Sequence, residues 1–214
     1  MDSEVYSMKK GTDFFTDNEE FNTLNNELTV KYDSITVSEI WKKIAACYDD
    51  IWAQYSGVND ALKKHLKYMI PYIAVYKVLY EDDRNDALEL VIEQAKMNAI
   101  EKRKFYEGYS TRFPGLFIKK CRKMAKGFYA EKAGFEVELE ETPPNECKFV
   151  IKKSPYLSIC TENSCTELVK IFSDNDLYYF ANLPKIAFKR NGNLESEEEP
   201  CEYHFTVREQ VLSV

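Results

Sequence analysis

The hydrophobic period of the chain changes near Gly134, and this change constrains the fold more than any other feature. Before Gly134, apolar residues recur every three or four positions in four segments. After it, Phe135, Val137 and Leu139 alternate with glutamates. A helical period is typical of a helix with one buried face, whereas strict alternation is typical of a half-buried strand. The pattern therefore predicts an α+β fold, with a helical N-terminal half and a sheet in the C-terminal half.

Four helices are predicted in the N-terminal half, after a polar arm at residues 1–34 that holds at most one short helix. Thr36 and Glu39 fit a capping box, so the first long helix should begin there. Pro71 should kink the second helix, and Pro114 suits the first turn of the fourth. The apolar stripes of the four helices are Ile40/Ile44/Cys47/Ile51/Tyr55, Leu62/Leu66/Met69/Ile73/Tyr76, Leu88/Val91/Ile92/Ala95/Ala99 and Phe117/Cys121/Met124/Phe128.

The C-terminal half is predicted to contain four strands and one helix. Cys147, Phe149 and Ile151 alternate as the residues after Gly134 do, and the intervening Pro143-Pro144-Asn145 indicates the turn of an antiparallel hairpin. The remaining expected elements are a helix at 162–173, strands at 185–190 and 201–208, and an acidic loop at 192–200 between these strands. We expect one antiparallel sheet, with regions 1–34, 35–130 and 131–214, the last two forming one compact unit.

The charge and hydropathy of the chain exclude two classes of partner. In 214 residues, 29 Lys and Arg stand against 36 Asp and Glu, which gives a net charge of −7. Unspecific nucleic-acid binding depends on a surplus of basic residues. No segment approaches the roughly 18–20 apolar residues of a transmembrane helix, and Met1–Asp13 lacks the apolar core of a signal peptide. We therefore expect a cytoplasmic protein with no nucleic-acid partner and no membrane partner.

Common cofactor and catalytic motifs are absent from the sequence. It contains no P-loop, GxGxxG, GxSxG or HExxH pattern. Its six cysteines and two histidines include no CxxC and no other spacing typical of zinc ligands. Without a secretion signal, reduced thiols are the ordinary state of cysteines. We therefore expect no cofactor, no bound metal and no disulfide.

Cysteines are the first candidates for nucleophilic chemistry. Cys165 is predicted near the start of the 162–173 helix, where the helix dipole lowers the pKa of a thiol. Cys201 and His204 lie three residues apart on a predicted strand, hence on opposite faces, and cannot form a direct dyad there. The alternative for each cysteine is a buried, inert side chain. A basic face on the fourth helix is either a solvated surface or a site for an anionic ligand or partner: Lys119, Lys120, Arg122, Lys123 and Lys126.

Five short motifs in the C-terminal half resemble those of a known family. In chain order they are Gly134–Glu141, Phe149–Tyr156 with Ser154-Pro155-Tyr156, Phe172–Asp176, Phe188–Leu194 with Arg190 and Gly192, and Cys201–Phe205. Their order and spacing are similar to those of the L-2-amino-thiazoline-4-carboxylic acid hydrolase-like proteins. The resemblance covers about residues 110–208.

The resemblance implies a hydrolase that opens a C–N bond in a small cyclic amidine, on the way to L-cysteine. Water would attack the ring carbon between sulfur and nitrogen, assisted by a thiol or carboxylate. Asp176 and Cys201 are retained from the family pattern. Ser154 and Ser173 stand where the motifs have cysteine, and a serine hydroxyl without an adjacent base is a weaker nucleophile than a thiolate.

These considerations define a candidate site and its alternatives. The expected catalytic residues are Asp176, Cys201 and Cys165, and the expected substrate-binding residues are Ser154, Tyr156, Ser173, Arg190 and His204. The expected partner is a small-molecule substrate or ligand, and homo-oligomerisation is left open. One alternative is a catalytically inactive module that binds a small molecule or partner on the same fold. Another is an accessory protein that acts on a peptide. Convergence of the motif residues on one cavity would favour an enzyme or a ligand-binding protein.

Overall fold

The computed structural model describes residues 9–16, 18–81, 83–195 and 199–208. Within these ranges the chain forms eight α-helices and four strands, with short 3-10 turns between some of them. The helices are α1 (Gly11–Thr16), α2 (Asn22–Lys31), α3 (Ser34–Gln54), α4 (Asp60–Tyr80), α5 (Arg84–Arg112), α6 (Pro114–Gly127), α7 (Tyr156–Glu162) and α8 (Val169–Phe180). The strands are β1 (Glu136–Leu139), β2 (Glu146–Lys153), β3 (Ile186–Asn191) and β4 (Cys201–Val207).

The predicted α+β fold is confirmed. Helices α1 to α6 precede Gly134, and the four strands follow it. The strands form one sheet in the order β1-β2-β4-β3, and each neighbouring pair is antiparallel. In the part of the chain that the structure describes, no helix has both the length and the apolar character needed to span a membrane.

The chain divides into two compact units, each built from two separate stretches. The first unit consists of Met1–Gly57 and Ile70–Gln94. The second consists of Val58–Met69 and Ala95–Val214. Helices α4 and α5 therefore each contribute residues to both units.

In the first unit, the segment expected to be a polar arm forms α1 and α2. Phe21, Leu24 and Leu28 are buried. The backbone N–H of Leu24 donates to Oε1 of Gln94 at 2.8 Å. Gly11 lies so close to α3 that an added Cβ would be 2.3 Å from the carbonyl oxygen of Ala45. Phe21, one of the aromatic side chains scattered through this polar sequence, thus belongs to a packed core that the irregular spacing did not reveal.

The predicted N-cap of α3, Thr36, is wrong by three residues. The helix begins at Ser34, and its N-cap is Asp33, whose Oδ1 accepts from the backbone N–H groups of Ile35 and Thr36 at 2.9 and 3.1 Å. A carboxylate at this position satisfies two free donors and is stabilised by the helix dipole. Thr36 consequently lies inside the helix and does not cap it.

The core of the second unit lies between α6 and the sheet. Phe117, Ile118, Cys121 and Ala125 form the buried face of α6. On the sheet, the rings of Phe149 and Tyr203 stack with centroids 4.8 Å apart, and those of Phe188 and Phe205 lie 4.7 Å apart. The alternation of buried and half-buried residues along β4 follows from this packing, because one face of the strand meets the helices.

The predicted helix at 162–173 is replaced by two helices. Helix α7 ends at Glu162, and Ser164 has a φ of 57°. A 3-10 turn at Thr166–Leu168 then leads into α8. The chain after Pro155 already has helical spacing, since Tyr156, Ile159 and Cys160 are buried on one face of α7. Cys165 therefore precedes a single 3-10 turn and not the start of an α-helix.

The closing hairpin agrees with the predicted strands at 185–190 and 201–208. Gly192 follows β3 with a φ of 79°, and a Cβ there would lie 2.5 Å from the carbonyl oxygen of Pro200. This turn thus requires glycine. Part of the predicted acidic loop, residues 196–198, lies outside the described residues.

Candidate functional site

A cleft of about 570 Å³ lies within the second unit. Its walls are largely aromatic and come from α5, α6, the residues after α6, and α8: Tyr106, Phe117, Phe128, Tyr129, Tyr179 and Phe180. Charged groups in its lining are Asp176 and the three lysines Lys64, Lys120 and Lys123. The volume is typical of small-molecule sites, which combine apolar walls with a few polar groups.

Asp176 is the acidic group of the cleft and is only 9% exposed. It lies one turn after Phe172 and Ser173 on the buried face of α8. Its Oδ2 accepts from the hydroxyls of Tyr203 at 2.8 Å and Tyr129 at 3.2 Å. Oδ1 accepts no hydrogen bond from the residues that the structure describes. One carboxylate oxygen is therefore fixed by the protein, and the other remains available to a ligand or water.

The environment of Asp176 raises its pKa from 3.8 to about 6. Burial is the largest cause, because it penalises the charged form. The hydrogen bond from Tyr203, the charge of Arg190 and the hydrogen bond from Tyr129 act in the opposite direction. Burial, followed by the charge of Asp176, raises the pKa of Tyr129 and of Tyr203 well above 10. Both tyrosines consequently remain protonated donors at neutral pH.

Arg190 and Ser173 are hydrogen-bonded to each other and do not line the cleft. Arg190 donates from Nη1 to the carbonyl oxygen of Ser173 at 2.5 Å and from Nη2 to Oδ1 of Asp174 at 2.8 Å. Ser173 Oγ accepts from the backbone N–H of Leu194 at 3.1 Å. These bonds hold the turn after β3 against α8. The contribution of Arg190 to the site is electrostatic, since its charge lowers the pKa of Asp176.

Tyr156 is bonded to a histidine that sequence reasoning missed. His65 Nε2 lies 2.9 Å from the carbonyl oxygen of Phe128, and its Nδ1 lies 3.0 Å from the hydroxyl of Tyr156. A carbonyl only accepts, so Nε2 carries the proton and Nδ1 accepts from Tyr156. Burial lowers the pKa of His65 to about 4, so the ring is neutral at pH 7. Ser154 Oγ accepts from the backbone N–H of Tyr156 at 3.2 Å.

The expected catalytic thiols are buried outside the cleft lining. Cys201 lies on the inner face of β4 with no exposed surface, and burial raises its pKa to about 11. Cys165 also has no exposed surface, and its Sγ lies 3.5 Å from the carbonyl oxygen of Cys160. Cys121 does line the cleft, and burial raises its pKa as well. Burial therefore disfavours the thiolate forms of Cys201 and Cys121.

His204 lies on the other face of β4 from Cys201, as the alternation predicted. Its Nε2 lies 2.6 Å from Oε1 of Glu146, and the hydroxyl of Thr206 is 3.1 Å away. The ring is partly exposed and does not line the cleft. The structure therefore places His204 in a surface pair with Glu146, apart from Asp176.

The motif residues converge only in part. Asp176 lines the cleft, whereas the other four are buried and absent from its lining: Ser154, Tyr156, Ser173 and Cys201. Four residues at or beside the site were not predicted from the sequence: Tyr129, Tyr203, His65 and Lys64. The sequence carried a weak signal for His65. It lies three residues after Leu62 and four before Met69, on the predicted apolar face of the helix, where a titratable group is unexpected.

The described side chains therefore offer acid–base and ion-pairing chemistry in an aromatic cleft. Among the residues that the structure describes, no group of three or more His, Cys, Asp or Glu side chains is arranged to hold a metal ion. Comparison of the chain with protein-family models, with curated proteins and with solved structures found no match.

Proposed function

We propose that this chain is a divergent hydrolase of the L-2-amino-thiazoline-4-carboxylic acid hydrolase-like family that opens a C–N bond in a small cyclic amidine or a related substrate. The observation that carries the proposal is Asp176, a carboxyl group with a pKa of about 6 in the lining of an aromatic cleft. A general acid–base group is most effective when its pKa lies near the working pH.

The charges of the cleft match those of such a substrate. A cyclic amidine that also bears a carboxylate has a cationic end and an anionic end. The carboxylate of Asp176 is complementary to the amidinium, and Lys64, Lys120 and Lys123 are complementary to the carboxylate. Lys120 already lies over aromatic rings, with Nζ 5.0 Å from the ring centroid of Phe105. Opposite charges at separate points of a cleft orient a small ligand as well as bind it.

The chemistry assigned to Asp176 is proton transfer. Its free oxygen, Oδ1, takes a proton from water as the water oxygen bonds to the amidine carbon. The same proton then passes to the ring nitrogen as the C–N bond breaks. The hydroxyl proton left on the former ring carbon moves to the departing nitrogen as the carbonyl forms, so the amidinium charge ends on an ammonium group and the protons balance. Tyr129 and Tyr203 hold Oδ2 throughout and keep the carboxyl group in one orientation. Positioning of this kind is effective because it avoids reorganisation during the reaction.

No step in the proposal uses a thiol. Cys165 and Cys201 have no exposed surface, and neither lines the cleft. A thiol with a pKa near 11, as at Cys201, is almost entirely protonated at pH 7. The two serines that replace motif cysteines, Ser154 and Ser173, both accept backbone hydrogen bonds and stabilise local turns.

The test is direct incubation with L-2-amino-thiazoline-4-carboxylate, followed by chromatography and mass spectrometry of S-carbamoyl-cysteine, the product of C–N cleavage. A thiol reagent distinguishes it from the N-carbamoyl isomer of equal mass, which carries a free thiol. We expect turnover above the buffer rate, lost in Asp176→Asn. The control is Glu141→Gln, which removes an exposed carboxylate of the second unit outside the cleft lining. Turnover that persists in Asp176→Asn with the wild-type rate would refute the assignment. Thermal melting of each variant separates loss of chemistry from loss of fold.

A second candidate is a catalytically inactive module that binds the same kind of ligand. The replacement of two motif cysteines by Ser154 and Ser173 favours it, because the family pattern then lacks two of its thiols. In that case the substrate would raise the melting temperature without being consumed. Lys120→Ala and Lys123→Ala should weaken this stabilisation, whereas Lys152→Ala, on β2 and outside the cleft lining, should not.

The proposal includes a reducing, cytoplasmic setting and a role in cysteine metabolism. All six cysteines are free in the structure. Five of them are buried and Cys47 is half-buried, and their unpaired state is compatible with a compartment that keeps thiols reduced. The proposed partner is the small-molecule substrate, and the acidic net charge argues against nucleic acid.

A further inference from the structure

A second cavity lies in the first unit and is independent of the function proposed above. Its volume is about 410 Å³, and its lining comes from α1, α2, α3 and the turn between α1 and α2. The lining contains the aromatic side chains Phe15, Phe21 and Trp41 and the amide side chains Asn22 and Asn25. This volume lies within the range typical of small-molecule sites.

Trp41 forms a fixed aromatic wall in this cavity. Its Nε1 donates to Oδ1 of Asn25 at 2.9 Å, which sets the orientation of both side chains. Phe15 supports the indole with ring centroids 5.5 Å apart and planes inclined at 40°, and Phe21 lies edge-on at 6.5 Å. These lining rings are inclined to one another, so they offer no parallel pair between which a flat nucleobase could insert. A single aromatic wall instead suits the apolar C–H face of a saturated ring.

The polar groups of the cavity are mostly neutral and retain hydrogen-bonding capacity. The amide of Asn22, Nδ2 of Asn25 and the hydroxyls of Thr12 and Ser38 make no side-chain hydrogen bond within the part of the chain that the structure describes. Amides and hydroxyls both donate and accept, as the hydroxyls of a sugar do. Among the described lining residues, Lys42 alone is charged. Within this described lining a cationic ligand therefore finds no complementary charge, and an anionic ligand finds that of Lys42 alone.

We propose that this cavity binds a neutral saccharide, with one hexose ring stacked on Trp41 and its hydroxyls bonded to Asn22 and Asn25. The proposal adds a second ligand site to the chain and uses no residue of the Asp176 cleft. Asp176→Asn should therefore leave saccharide binding unchanged, so failure of one proposal is distinguishable from failure of the other.

The experiment measures tryptophan fluorescence during titration with glucose, galactose, N-acetylglucosamine, maltose, cellobiose and lactose. The chain has two tryptophans, and Trp52 is buried at 3% exposure. Trp52→Phe leaves Trp41 as the sole reporter, and the same titrations by protein NMR on the unmodified chain remove any dependence on this variant. We expect a saturable response to at least one of these sugars, and no competition by adenosine. No saturable response to any of them would overturn the proposal, as would displacement by adenosine.

A matched pair of asparagines locates the binding site. Asn22 and Asn26 are both exposed on α2, but only Asn22 belongs to the cavity lining. We expect Asn22→Ala to weaken saccharide binding by about fivefold, the effect of one lost hydrogen bond, and Asn26→Ala to leave it unchanged. Equal affinities in the two variants would overturn the assignment to this cavity.

Discussion

Tyr203 donates its hydroxyl hydrogen to Oδ2 of Asp176 at 2.8 Å and so links the buried face of β4 to the inner face of α8. Tyr129 donates to the same oxygen at 3.2 Å. A hydrogen bond from a neutral donor favours the charged carboxylate over the acid. The two tyrosines therefore oppose burial, which raises the pKa of Asp176.

Tyr203→Phe should raise the pKa of Asp176 above its value of about 6. The increase should be roughly 1–2 pH units, because a hydrogen bond to a charged group contributes about 1.5–3 kcal/mol. Tyr129→Phe should have a smaller effect, since its bond is longer. Carbon-13 NMR titration of the Asp176 carboxyl group measures both values. The control is Tyr178→Phe, an exposed tyrosine on α8. An unchanged pKa in Tyr203→Phe would contradict the assigned role.

Asp176 should make the protein less stable as pH rises. Its pKa in the folded state is about 6, above the ordinary 3.8. The folded state therefore holds this proton more tightly than the unfolded state. The resulting stabilisation is complete below about pH 4 and is lost as pH rises through about 6. Relative to Asp176→Asn, the wild-type protein should lose about 3 kcal/mol of unfolding free energy between about pH 4 and 8. Urea unfolding of both proteins at several pH values tests this, and a constant difference would refute it.

His65 should have the opposite effect. Its pKa in the folded state is about 4, below the ordinary 6.5. Its stabilising contribution is therefore present above about pH 6.5 and is lost as pH falls towards 4, because the unfolded state takes up the proton first. His65→Gln should remove roughly 3 kcal/mol of this pH dependence. His204→Gln is the control, since that ring lies at the surface beside Glu146. Equal pH profiles for wild type and His65→Gln would contradict the prediction.

The thiols should react in an order set by their exposure. Cys47 is half-buried, whereas Cys165 and Cys201 have no exposed surface. In the native protein we expect a thiol reagent to modify Cys47 first, and Cys47→Ser to abolish that first phase. In denaturant, six thiols should react. Rapid modification of Cys201 in the native protein, mapped by mass spectrometry, would contradict this order and would support a catalytic role for that thiol. Cys201→Ala should retain whatever turnover the wild type shows.

Local patterns in the sequence predicted the fold class and the sheet correctly. They did not predict every helix or every helix boundary. The alternation after Gly134 is a local property of strands that pack on one face, and it predicted the sheet correctly. The boundaries of α7 and α8 depend on Ser164, which has a left-handed backbone conformation. Serine rarely adopts this conformation, so the sequence did not predict it. The two helices at residues 11–31 depend on burial of irregularly spaced aromatics, which has no periodic signature.

The site was harder to predict because its groups meet only in three dimensions. Asp176 was identified from a motif, but its two hydrogen-bond donors come 47 residues before it and 27 residues after it. Tyr203 lies on the same face of β4 as Cys201 and Phe205, and in the sequence it resembles an ordinary core residue. The thiols were assigned from helix position and motif, whereas their reactivity depends on burial, which the sequence does not show.

The division of each unit into two stretches of chain limits what a shortened protein can contain. A fragment of residues 110–208, where the family resemblance lies, would retain Asp176 with both of its tyrosines. It would lack Lys64 and Tyr106 from the cleft, and it would leave Tyr156 without its histidine acceptor. No single cut separates the two units, because residues 58–69 of the second unit are flanked on both sides by parts of the first. A truncation at any single point that is meant to isolate one unit therefore also removes part of that unit's own core or keeps part of the other unit.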